Sequence, residues 1–184
     1  MAGGFVLETK RLRLRSWQPG DADKYHEACN TSAVMRWLGG VQSGALVNAE
    51  VRYFEKCEVR DGVTFWALEL KHDRRFLGFC GLVRVRELGC PIRGELEIGW
   101  RIREDAWQNG YAYEAASAVL DLAFDELRSH LIVSRAAAGN QPSRRLMRKL
   151  GMKSRPELYY QPRRERIGLV VYTITAEQWR EHLK

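Results

Sequence analysis

Residues 95–116, ELEIGWRIREDAWQNGYAYEAA, place several carboxylates, a glycine and a run of small residues where a strand runs through a loop into a helix. The first turn of a helix has N–H groups without intrahelical acceptors and carries a partial positive charge, so it can bind phosphate. Gly110 lets the backbone approach a ligand closely. Ala112, Ala115 and Ala116 let the helix pack near a ligand or a sheet. The loop follows neither the G-x-x-x-x-G-K-[ST] nor the G-x-G-x-x-G phosphate pattern. A second stretch, NQPSRRLMRKLGM at residues 140–152, offers Asn140 as a helix cap and Gly151 as a stop around a basic helix. Each stretch taken singly also reads as an ordinary turn or a capped basic helix.

The positions of other reactive residues exclude several chemistries. Cys29, Cys57, Cys80 and Cys90 include no C-x-x-C pair and lack neighbouring histidines for a zinc set, so reduced structural thiols and no metal are expected. The 184 residues suit one domain, with 45% apolar and 29% charged residues. No apolar run approaches the roughly 18–20 residues of a membrane span, and the start of the chain lacks the pattern of a secretory signal. A cytoplasmic protein is the expectation. The formal charge of +7 is concentrated between Arg135 and Arg166, where ten Lys or Arg face only Glu157 and Glu165. Such a region suits a polyanion, either nucleic acid or a phosphorylated cofactor, or is a solvated basic face. Nucleic acid is disfavoured by the absence of zinc-finger and RNP-like patterns.

The elements that position these stretches follow from periodicity. Residues 10–17 alternate Arg11, Arg13 and Arg15 with Leu12 and Leu14, a strand with one apolar face. Asp21 is placed to cap a helix running to about residue 30, and residues 45–60 read as a second helix. Residues 63–70, 76–85 and 95–102 are rich in β-branched and aromatic residues and predict an antiparallel meander. Past Gly110, apolar residues recur at helical spacing from Ala112 to Leu127, an amphipathic helix of about 17 residues. Residues 131–137 predict a buried strand, 141–150 a helix, 168–174 a late strand and 176–183 a closing helix.

In this order the two stretches resemble the acetyl-coenzyme A binding segments of the GNAT acetyltransferase superfamily, and more closely the branch containing the ribosomal-protein-alanine N-acetyltransferases. The resemblance rests on LETKRLRLR at residues 7–15, EIGW at 97–100, WQNGYAYEA at 107–115 and NQPSRRLMRKLGM, and covers residues 7 to about 175. It implies an α/β fold: one domain, residues 7–177, with a central mixed, mostly antiparallel, splayed sheet flanked by helices, and the end of a C-terminal helix at residues 178–184.

The resemblance also implies an acetyl-coenzyme A cosubstrate. Gln108, Asn109, Gly110, Tyr111 and Ala112 would cradle its pyrophosphate, while Trp100, Arg101 and Ile102 would present backbone groups to its pantetheine arm. Asn140 would bind the arm or an ordered water. Arg144, Arg145 and Arg148 would meet the adenosine phosphates. Glu97 would help to deprotonate the amine, with Glu95 as the alternative and Glu114 as a structural carboxylate. Trp37 would line the acceptor pocket or anchor two helices. Many superfamily members carry a tyrosine general acid where this chain has Met147, which cannot donate a proton. The activity implied is N-acetyl transfer to a primary amine, a protein N-terminus or a small molecule, by direct attack in a ternary complex. A non-catalytic acyl-coenzyme A sensor is the alternative, and a homodimer is left open.

Overall fold

The computed structural model describes residues 4–162 and 168–184. The strands are β1 (Val6–Glu8), β2 (Leu12–Arg15), β3 (Phe65–Leu70), β4 (Phe76–Arg84), β5 (Leu96–Ile102), β6 (Leu131–Ala137), β7 (Lys153–Ser154) and β8 (Leu169–Thr175). They form one sheet in the order β1-β2-β3-β4-β5-β6-β8-β7. Every neighbouring pair is antiparallel except β5 and β6. The expected meander is β3-β4-β5, and β6 returns beside β5 only after a helical crossover, as a parallel pair requires.

Helices α1 (Asp21–Cys29) and α2 (Gly44–Asp61) cover one face through Tyr25, Val47, Val51 and Phe54, which with Trp17 from the connection before α1 pack on Ala67, Phe76 and Phe79. Helices α3 (Tyr111–Asp121), α4 (Gln141–Lys149) and α5 (Ala176–His182) share the larger core on the other face. Trp179 of α5 is buried in that core and donates its indole N–H to Asp121 at 2.8 Å. The long helix expected to reach Leu127 stays α-helical only to Asp121 and then widens into a π turn, Leu122–Glu126. The wider turn buries three consecutive side chains, Leu122, Ala123 and Phe124, which a regular helix would spread around its axis.

Alternation in β2 holds, with Leu12 and Leu14 fully buried. Its charged face, however, is not turned to water. Arg15 is buried and donates to Asp21 at 2.6 and 3.2 Å and to Glu69 at 3.1 Å. Asp21 is therefore a counter-ion rather than the α1 cap, which is Gly20 in a left-handed conformation.

Burial pushes the Asp21 carboxyl up, but Arg15, the Gln18 amide and Lys24 outweigh it and hold the group below the usual carboxylate range. Breaking such a pair leaves a buried charge without its partner. Arg15→Ala should cost about 3–5 kcal/mol of stability at pH 7 in denaturant unfolding. Because the folded value is depressed, the contribution is complete above the unfolded value of about 4 and is lost as pH falls through the lower folded value. The gap between mutant and wild type should therefore narrow in acid; a gap independent of pH would contradict this account.

Candidate active site

The sheet opens where β5 meets β6. Parallel pairing joins Leu96 to Ile132 and Glu97 to Val133 and then stops, while β5 continues against β4 and β6 against β8. The pleat fixes which groups face the gap. The Val85 and Arg103 amides donate to Glu95 and Leu77 across β4 and β5, so odd-numbered residues of β5 turn their backbone groups toward β4. Ile98, Trp100 and Ile102 turn theirs toward β6. By the same alternation from Ala138, which bonds Gly168, the backbone groups of Arg135 and Ala137 face β5.

In a continuing parallel ladder the Ile98 carbonyl would accept from the Arg135 amide. It accepts instead from the buried Ser134 hydroxyl at 2.9 Å. The Ile102 carbonyl accepts from the Trp107 indole at 2.7 Å. Among the described residues, the N–H and C=O of Trp100 and of Arg135 have no protein partner across the gap. Buried backbone groups are otherwise almost always paired, so an amide-bearing chain lying in the gap would complete both edges.

Beyond β5 the chain enters the loop before α3. Gln108 and Gly110 take positive φ values of 62° and 79°, turning this loop into a concave row of amides. Among the described residues, none of the amides from Gln108 to Tyr113 donates to a protein acceptor. The expected loop residues Gln108, Asn109, Gly110, Tyr111 and Ala112 are thus brought together, within one strand-to-helix junction of Trp100 and Ile102. Asn109 braces the loop by donating to the carbonyls of Ala106 and Trp107.

Glu114 does not oppose an anion here. It accepts from Thr9 Oγ1 at 2.5 Å, the Arg11 amide at 2.8 Å and Arg11 Nε at 2.6 Å. Burial pushes this carboxyl up, but Thr9 and Arg11 hold it below the usual range.

Odd-numbered β5 side chains project on the α1–α2 face. Glu97 is 7% exposed and shares the Nε–H of Arg135 between its two oxygens at 3.0 Å each. Burial raises the Glu97 carboxyl above its ordinary range against the pull of Arg135, and Glu87 adds to the rise. Gly99 leaves room for Phe65, whose ring would lie 2.7 Å from a Cβ at this position. Arg101 turns away from the gap: its backbone faces β4 and its guanidinium binds Glu50 at 2.9 and 3.2 Å and the Tyr25 hydroxyl. Of the three residues expected to meet the pantetheine arm, only Trp100 and Ile102 present backbone to the gap.

Asn140 caps α4 by accepting from the Ser143 amide at 3.2 Å, and among the described residues its Nδ2 has no protein acceptor. Beside it, the Trp37 ring lies on Gly139, 2.6 Å from where a Cβ would stand. Trp37 thus reaches from the turn Val34–Trp37 across to the β6–α4 junction, while its neighbour Met35 is the buried anchor. Met147 is buried in the main core. Arg144 donates to the Ala138 carbonyl at 2.9 Å, and Arg144 and Arg148 approach the Tyr172 hydroxyl at 3.4 Å. Arg145 is exposed. Arg163, Arg164, Glu165 and Arg166, counted in the basic region, lie outside the described residues.

Residues 11–153 match the acetyltransferase (GNAT) domain family. The chain belongs to that family. It is 33% identical over 147 residues to the uncharacterized protein YkkB of Bacillus subtilis strain 168, spanning 79% of this chain and 84% of that protein. Among solved structures, the GNAT-family acetyltransferase from Bacillus anthracis superposes with a TM-score of 0.75 at 25% identity, over 94% of this chain and 99% of that one. The ribosomal L7/L12 α-N-protein acetyltransferase RimL shares the fold, with a TM-score of 0.74 at 11% identity over 94% of each chain.

Gly110 caps α3 with φ 79°, a conformation costing a non-glycine residue about 1–2 kcal/mol. Gly110→Trp should lower stability by about that much in thermal unfolding and weaken acetyl-coenzyme A binding tenfold or more in calorimetry. A folded variant with unchanged affinity would remove the amide row from the site.

Proposed function

We propose that this GNAT acetyltransferase moves an acetyl group from acetyl-coenzyme A to a primary amine within a ternary complex. The observation that carries the reading is the gap between β5 and β6, where among the described residues the backbone at Trp100 and Arg135 and the six amides from Gln108 to Tyr113 have no protein partner. Trp100, Ile102 and Arg135 would hold the pantetheine amides, and the amide row would hold the pyrophosphate. Asn140 Nδ2 is available to the arm or to a water.

The acceptor enters from the α1–α2 face, between Phe65 and Trp37, with Glu97 on the same side of β5. A free amine is mostly protonated at pH 7 and needs a proton acceptor. Glu97 fits this role through a water: its oxygens share one N–H and keep further lone pairs. The amine nitrogen bonds to the thioester carbonyl carbon, the C–S bond breaks, and the thiolate leaves with the electron pair. The amine proton passes to Glu97. Met147 cannot protonate the thiolate; the second proton of the nitrogen, shed as the amide forms, reaches it through water.

A covalent acetyl-cysteine route has little support, because all four thiols are buried, burial pushes Cys29 up to about 12, and Cys80 is raised further. The protein N-terminus is the favoured acceptor class on the strength of the sequence stretches shared with the ribosomal-protein branch.

Thiol release with a panel of amines, including short peptides with free N-termini, separates transfer from acyl-coenzyme A binding alone, the reading that Met147 favours. With an accepted peptide, Glu97→Gln should lower turnover by about 10²–10⁴-fold while leaving cosubstrate affinity near wild type. The loss should shrink as pH rises, because free amine then becomes abundant. Full turnover at neutral pH in Glu97→Gln would remove this residue from the chemistry, and loss of turnover in a folded protein with all four Cys→Ser changes would contradict direct transfer.

A further inference from the structure

We infer that Arg135 is a positioning residue for the transfer, fixing the Glu97 carboxylate at the root of the gap and clamping the two flanking connections around it. The inference rests on the reading of Glu97 as proton acceptor and assigns a role to a residue outside both cosubstrate stretches. Arg135 lies on β6 two residues past the last rung shared with β5, so it bridges the strands where their backbones part. Its Nε binds Glu97, and its Nη1 binds Glu87 at 2.8 Å and the Tyr160 hydroxyl. Glu87 belongs to the β4–β5 connection and Tyr160 to the connection before β8, and the Tyr160 hydroxyl also donates to Glu87 at 3.2 Å. One planar guanidinium therefore joins four segments, which a lysine ammonium on its flexible stem reproduces only in part.

Among the described residues, the charged and titratable groups around Glu97 are Arg135 from β6, Glu87 and Cys90 from the β4–β5 connection, and Tyr160. Arg135 is the one cation among them. Burial and Glu87 both favour a protonated Glu97, and Arg135 opposes them. Without the guanidinium, Glu97 would hold a proton at a pH where the reaction needs it to accept one. Arg135 therefore works through Glu97, by charge and by geometry, without touching the reacting atoms.

Two variants and two readouts test this. Arg135→Gln removes the cation; Arg135→Lys keeps a charge and guards against a variant that fails to fold. The carboxyl carbon of Glu97, recognised in carbon-13 glutamate-labelled protein as the resonance missing from Glu97→Gln, is titrated by NMR. Turnover of acetyl-coenzyme A with a free-N-terminus peptide is followed against pH in the same proteins. Removing an opposite charge raises the carboxyl midpoint, so the acid limb of turnover moves to higher pH. In Arg135→Gln, turnover on that limb should fall roughly tenfold relative to the plateau. Arg135→Lys should show a smaller change of the same sign, and Arg135→Gln should add no limb shift in a Glu97→Gln background.

A Glu97 midpoint unmoved in both variants overturns the inference, as does a moved midpoint with an unmoved turnover limb. Full turnover in Glu97→Gln defeats the underlying reading of Glu97 and the positioning role with it. That failure is recognisable because the midpoint measured by NMR would still follow Arg135.

Discussion

Between β5 and β6 a hydrogen-bonded ladder that could have continued ends after Glu97 and Val133, and both strands then run on against other partners. Backbone groups left without partners in a low-dielectric interior cost about 1–3 kcal/mol each. The fold limits that cost by substitution. Ser134 satisfies the Ile98 carbonyl and the Trp107 indole satisfies the Ile102 carbonyl, while among the described residues the Trp100 and Arg135 groups and the amides of Ile102 and Ala137 stay open across the gap. The flanking pairs are long and regular, β4 with β5 on one side and β6 with β8 on the other, so two rigid arms hold the opening.

The opening also sorts charge. On its α3 side, among the described residues, six amides without a protein acceptor and the first turn of a helix favour an anion, and the Glu114 carboxylate in that turn is consumed by Thr9 and Arg11. On its α1–α2 side, Glu97 and Glu87 share the single guanidinium of Arg135, while Arg101 is paired with Glu50, and this suits the proposed cationic amine. The proposed anionic cosubstrate and basic acceptor would thus approach β5 from opposite sides. Gly99 adds to this arrangement by letting Phe65 lie on the strand itself. The aromatic wall then sits close to the gap.

Much of this was readable from residue types. Alternation located β2, β-branched and aromatic content located β3 to β5, apolar residues at helical spacing located α3, and Gly110 and Asn140 stand at the two helix starts where their chemistry placed them. Contacts between residues distant in sequence were not readable. The Arg13 and Arg15 side of β2 reads as a solvent face until Asp21 and Glu69 arrive from α1 and β3. Arg101 stands in the expected strand, yet pleat parity sends its backbone to β4 and its side chain to Glu50. Arg135 and Ser134 interrupt an apolar run, LIVSRAA, and that interruption was the available sign of their roles at the gap. The π turn after α3 carries no local signature, because it answers to burial of Leu122, Ala123 and Phe124 against the core.

The central claim is that the free backbone edges of the gap and the amide row are one binding surface for acetyl-coenzyme A. Amide hydrogen exchange, read by mass spectrometry with and without acetyl-coenzyme A, addresses it directly. The account predicts slowed exchange in peptides carrying Trp100, Ile102 and Arg135 and in the peptide spanning residues 108–113, with little change in β2 and β3. Binding that protects neither edge of the gap, or protects only the basic face of α4, would contradict it.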